Sequence, residues 1–120
     1  MPSFRVAIDI HAVLPGVMPP EILPLAERIL ARTHRVEDRS VELTGPKDRP
    51  QPQIHLRFYV ESLSDEEEDA EAEAAVRALV GELAEVADCG GWVLRRGPGG
   101  HWRTIREGIA PPPPEFPVQF

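Results

Sequence analysis

Cysteine is all but missing from this sequence. Cys89 stands alone, so no intramolecular disulfide can form. A lone thiol excludes a disulfide-stapled secreted scaffold and fits a reducing compartment. Lysine is as scarce: Lys47 accompanies twelve arginines. Aromatic residues make up 6% of the chain, so each of the two tryptophans calls for its own explanation. Long hydrophobic runs are missing too. No stretch approaches the roughly 20 apolar residues of a bilayer-spanning helix. Met1-Pro2-Ser3 passes directly into a patterned strand containing Arg5 and Asp9, without a basic and apolar leader. These absences lead to the expectation of a cytoplasmic protein without membrane contact.

Acid is in excess, with a formal net charge of −7 over 120 residues, a length that suits one domain with its own core. The charge is unevenly spread. Residues 61–88 hold eleven acids against Arg77 alone, whereas residues 89–110 hold Arg95, Arg96, Arg103 and Arg106 against Glu107. The whole molecule should repel a polyanion, while one end retains a positive field.

Residues Phe4 to Val13 alternate, with Phe4, Val6, Ile8, Ile10 and Ala12 on one side and Arg5, Ala7, Asp9, His11 and Val13 on the other. Pro19 and Pro20 suit a helix start. Ile22, Leu25, Ala26 and Ile29 recur at helical spacing, and Pro24 places the regular helix from about that residue to Arg32. Val36 to Thr44 reads as a strand with Val41 and Leu43 facing inward. A proline-punctuated loop at 45–52 leads to the clearest strand, in which Ile54, Leu56, Phe58 and Val60 alternate with His55, Arg57 and Tyr59. Ser64 followed by Asp65-Glu66-Glu67 predicts a capped helix start. Ala72, Val76, Leu79, Val80, Leu83, Val86 and Ala87 predict six buried turns, with Gly90 as the stop. Trp92 to Arg96 and His101 to Arg106 form a hairpin around Gly97-Pro98-Gly99-Gly100.

That order, β-α-β-β-α-β with one extra strand, predicts an α+β, ferredoxin-like split sandwich at 1–108, with both helices on one face of an antiparallel sheet. Residues 109–120 form a proline-rich tail. Pro111 to Pro114 enforce an extended spacer, after which Phe116, Val118 and Phe120 offer three apolar side chains for docking on a strand edge or groove.

The uncovered sheet face is the first candidate surface. The first and third strands should be neighbours, so Asp9 and His11 approach His55, Arg57 and Tyr59. Two imidazoles and a carboxylate suit a divalent metal or a histidine base, but the spacing is not diagnostic and no metal or cofactor is assigned. A polar dimer interface accounts for the same residues. The second candidate is the basic hairpin, where Trp92, His101 and Trp102 are interleaved with Arg95, Arg96 and Arg103. Single-stranded nucleic acid is disfavoured there by the neighbouring acidity; an acidic surface on another copy or another protein is the expected partner. Gly97 to Gly100 lacks the helix, lysine and hydroxyl of a phosphate loop and reads as a turn. The acidic run Asp65–Glu73 is helical, so it reads as a solvated face and not a calcium loop. Cys89, beside Asp88, lacks the electropositive setting of a reactive thiol.

No family motif stands out in the residues. The favoured function is a non-enzymatic protein-binding or assembly module, self-associating as a dimer through the sheet face and docking through the tail. A small-ligand or metal site at Asp9, His11, His55, Arg57 and Tyr59 is the first alternative. An acidic inhibitor or immunity-type protein is the second.

Overall fold

The computed structural model describes residues 3–61, 64–97 and 101–114. The strand β1 (Ser3–Val13) occupies the middle of a five-stranded sheet, flanked by β3 (Gln51–Tyr59) and β4 (Ala87–Arg96). Outside them lie β2 (Arg35–Thr44) and β5 (Arg103–Ile109), giving the order β2-β3-β1-β4-β5 with every neighbouring pair antiparallel. The alternation of β1 sets the register: Phe4 faces Phe58, Val6 faces Leu56 and Leu94, and Ile8 faces Ile54 and Trp92. One side of three central strands is thereby apolar.

Two helices cover that side. A short 3-10 turn at Pro19–Glu21 leads into α1 (Ile22–Ala31), which buries Ile22, Ala26, Ile29 and Leu30. Pro24 sits in the first turn, where amides have no intrahelical acceptor and a missing N–H costs little. The helix therefore starts two residues before Pro24, earlier than the sequence implies. In α2 (Asp65–Leu83) the Ser64 hydroxyl accepts from the Glu67 amide at 3.2 Å, and Ala72, Val76, Leu79, Val80 and Leu83 are buried. The helices touch each other, and their apolar stripes join Phe4, Val6, Ile8, Leu56, Phe58 and Leu94 in one cluster. Both therefore lie on the same side. Each fully buried Leu or Phe here contributes roughly 2–3 kcal/mol. The architecture is α+β, with two helices on a five-stranded antiparallel sheet.

Two expectations fail locally. The second helix ends at Leu83, and Ala87, Cys89 and Gly90 belong to β4. The last turn tightens as the Glu85 amide bonds Glu82 O and the Val86 amide bonds Leu83 O, and the Val86 carbonyl then accepts from the Leu14 amide. Pairing of Ala87 with Val13 overrides the helical periodicity. Gly90 does not have a positive φ. It serves a close approach instead, since a Cβ there would sit 2.2 Å from His11 Nε2. Val41 and Leu43, expected to face inward, are 52% and 69% exposed. Val41 borders a groove of about 300 Å³ with Pro20, Ile22, Pro52 and Ile54, between the start of α1 and the sheet.

At the other edge, Trp92 presses on Gly108, where a Cβ would lie 2.4 Å from the indole. After Ile109 the Ala110 amide bonds the Gly90 carbonyl at 3.0 Å, and Pro111 to Pro114 follow. The expected docking residues Phe116, Val118 and Phe120 lie outside the described residues. Among the described residues, no helix is long and apolar enough to cross a membrane.

Candidate functional site

On the side away from the helices, the register stacks three rows of side chains across the strands. The first is Asp38, Arg57, Arg5 and Arg95, taken from β2 to β4; the second is Ser40, His55, Ala7 and Val93; the third is Glu42, Gln53 and Asp9. Directly opposed residues in an antiparallel pair have Cα atoms roughly 4.5–5.5 Å apart, so each row is a contact row.

The first row sets three arginines on neighbouring strands, an arrangement that destabilises a sheet unless compensated. Compensation is partial. The Trp102 ring lies against two of them, with the Arg5 and Arg57 guanidinium carbons 5.2 and 5.3 Å from its centroid. It rests on Gly97, where a Cβ would lie 2.6 Å from the ring. An extra residue in β2 brings Glu37 toward this row, with the carboxylate 3.5 Å from Arg57 Nε. That carboxylate already accepts from the Ser3 hydroxyl at 2.6 Å, and the buried Arg57 Nε makes no hydrogen bond. Among the described residues, neither Arg5 nor Arg95 has a carboxylate within 4.0 Å.

The second and third rows are joined by hydrogen bonds. Gln53 Nε2 donates to Asp9 Oδ1 at 2.9 Å, and its Oε1 is 2.8 Å from His55 Nε2. An amide oxygen only accepts, so Nε2 carries the imidazole proton. Glu42 Oε2 lies 3.3 Å from the same nitrogen. The opposite nitrogen, Nδ1, is buried without a hydrogen-bond partner. Burial lowers the His55 pKa; Glu42 opposes this, while the positive charges of Arg5 and Arg95 reinforce it. The imidazole is thus held toward its neutral form.

The five residues expected to converge do not meet at one point. Asp9 and His55 are linked through Gln53, because Ala7 is the residue directly opposite His55. Arg57 belongs to the first row. Tyr59 lies at the end of the sheet, opposite Ser3 and Arg35. His11 is exposed at the other end, its Nδ1 3.1 Å from Gln51 Oε1. No group of three His, Cys, Asp or Glu side chains among the described residues is placed to hold a metal ion. Ser40 lies across from His55, but His55 Nε2 is committed to Gln53 and Nδ1 has no hydroxyl partner. Cys89 is buried on the helix side, its thiol pushed up to about 11 by burial and by Asp88.

The basic-aromatic hairpin is divided between the two faces. Trp92 is buried on the helix side beneath Arg77, whereas Trp102 lies on the open side. Arg95 faces the open side, and Arg96, opposite Arg103, faces α2. His101 is exposed. The expected acidic partner of the hairpin is α2 of the same chain. Arg96 reaches Glu68 and Asp69 at 2.7 Å each and Asp65 at 3.2 Å, and Arg106 reaches Glu73 at 2.6 Å. Hydrogen bonds from Arg77 and Arg106 hold the Glu73 carboxyl below its ordinary range. Four of the seven carboxylates in the acidic run, Asp65, Glu68, Asp69 and Glu73, therefore form an intramolecular clamp. Sequence reasoning left Arg5, Arg95 and Gln53 out of the candidate site on the open face. The alternation already put Arg5 beside Asp9, but only the register reveals Arg95.

No family model matches the chain, and no curated protein matches it. A solved structure of a phage SAM lyase in its apo state is similar, with a TM-score of 0.52 and 9% sequence identity. The match covers 90% of this chain and 86% of that one. At that identity the likeness concerns the fold alone.

Proposed function

We propose that the chain is a non-enzymatic binding and assembly module that pairs with a second copy through the open face of its sheet. The observation that carries this reading is the segregation of charge on that face. The arginine row lies four residues along β1 from the Glu42-Gln53-Asp9 row, a separation of about 14 Å at strand rise. A two-fold axis lying in the interface across the strands at the level of Ala7 and His55 reverses the strand direction in the second copy. The arginines of each copy then lie over the acidic row of the other, an isologous contact. Trp102 supplies a large ring within the contact. The centre is polar: Ala7 is already 2% exposed within one copy and has little left to bury. The strand order supports a ferredoxin-like scaffold, in which one face is left for such pairing. A single thiol, buried and unreactive, fits a cytoplasmic setting.

Charge reversal tests the pairing. Light scattering at low salt should give the mass of two chains for the native protein and of one chain for Arg5→Glu, with pairing restored when Arg5→Glu is mixed with Asp9→Arg. A single-chain mass for the native protein at all concentrations, or no rescue in the mixture, rejects this reading.

A further inference from the structure

We infer that the arginine row of the open face is a binding site for a small phosphate-bearing molecule. Three observations converge on it. Arg57, Arg5 and Arg95 are directly opposed across β3, β1 and β4 and all half-buried, so three like charges are concentrated on neighbouring strands. The other half-buried arginine of the sheet, Arg96, is satisfied by three carboxylates. Arg5 and Arg95 have none within reach among the described residues, and Arg57 has one, Glu37, at 3.5 Å and without a hydrogen bond from its Nε. An anion that takes accessible N–H donors from this row offsets its concentrated positive charge. The donors are also held in place. Trp102 fixes the Arg5 and Arg57 guanidiniums against its ring, which lowers the ordering required on binding.

The chemistry of the donors selects the ligand class. Guanidiniums offer planar, paired N–H groups that match the oxygens of phosphate. The row runs over three strands, about 10 Å at the usual strand spacing, which suits one phosphate shared between neighbouring arginines or a diphosphate spanning them. The acidic row beyond His55 limits the site on one side, so an extended polyanion is repelled where a small one is accepted. The site belongs to a single copy and does not require the pairing proposed above. It competes with that pairing, because phosphate and the carboxylates of a second copy would seek the same donors.

The test is a titration of the dilute, full-length protein with inorganic phosphate and with pyrophosphate. Chloride holds ionic strength constant, and the Trp102 indole N–H and arginine Nε–H signals are followed by NMR. Saturable shifts on Trp102, Arg5, Arg57 and Arg95 are expected, tighter for pyrophosphate. Arg5→Gln with Arg95→Gln should weaken binding at least tenfold, while Arg28→Gln, on α1, leaves it unchanged. Linear shifts, equal shifts with chloride alone, or unaltered binding by the double variant overturn the site. Saturation by citrate but not by phosphate overturns the phosphate assignment. Light scattering in chloride reports the pairing separately, so failure of either proposal is seen without the other.

Discussion

Replacing Arg96 by methionine isolates the electrostatic clamp between β4 and α2. The native guanidinium makes 2.7 Å contacts to Glu68 and Asp69 and a 3.2 Å contact to Asp65. Asp65 is 88% exposed on its side chain, so its share is small after solvent screening. Glu68 and Asp69 are 10% and 20% exposed, and there the loss is felt in full. Methionine keeps an aliphatic stem beside Phe4 but leaves Glu68 buried, charged and surrounded by other carboxylates. Breaking such a pair from one side costs about 3 kcal/mol. For a domain of this size that is a fall in Tm of about 12 °C, taking about 4 °C per kcal/mol. Urea denaturation of Arg96→Met, Glu68→Gln and the double variant gives the coupling directly. The double variant should recover more than half of the loss, since the stranded charge is gone. A loss below about 1 kcal/mol in the single variant, or no recovery in the double, would show that α2 is held by its apolar stripe without help from the clamp.

The glycines of β4 and β5 should respond unequally to alanine. Gly108→Ala drives a Cβ into the buried Trp92 ring and should cost about 2 kcal/mol. Gly90→Ala meets only the exposed His11 ring, which can swing away, and should cost less than about 1 kcal/mol by the same urea assay; the reverse ranking refutes the packing described. His55 makes stability depend on pH. Its folded pKa lies below the ordinary 6.5, so the unfolded chain takes up the proton first. The contribution is complete above 6.5 and is lost as pH falls below it. The unfolding free energy should fall between pH 7.5 and pH 5.0 for the native protein and fall less for His55→Gln; equal falls would assign the effect to other groups.

Much of the architecture was legible because β1 and β3 carry uninterrupted alternation and α2 begins with an unmistakable cap at Ser64. Tertiary pairing hid the rest. Val86 and Ala87 continue the helical spacing of α2, yet the length of β1 demands a partner there, and no local pattern announces it. The faces of β1 and β3 were read correctly, but a site also needs the register between strands. That register put Ala7 opposite His55 and Arg5 opposite both Arg57 and Arg95. Charge was the most misleading quantity. Acids and arginines separated by some thirty residues looked like two surfaces awaiting other molecules, while Arg96 and Arg106 neutralise Glu68, Asp69 and Glu73 within one chain.

The outer strand β5 leads directly into Pro111, Pro112, Pro113 and Pro114. None of these four residues has an amide hydrogen to offer an incoming strand. A neighbour laid along that border would find carbonyl acceptors but no donors once it passed Ala110. Extension of strand pairing past Ala110 is therefore discouraged along this border.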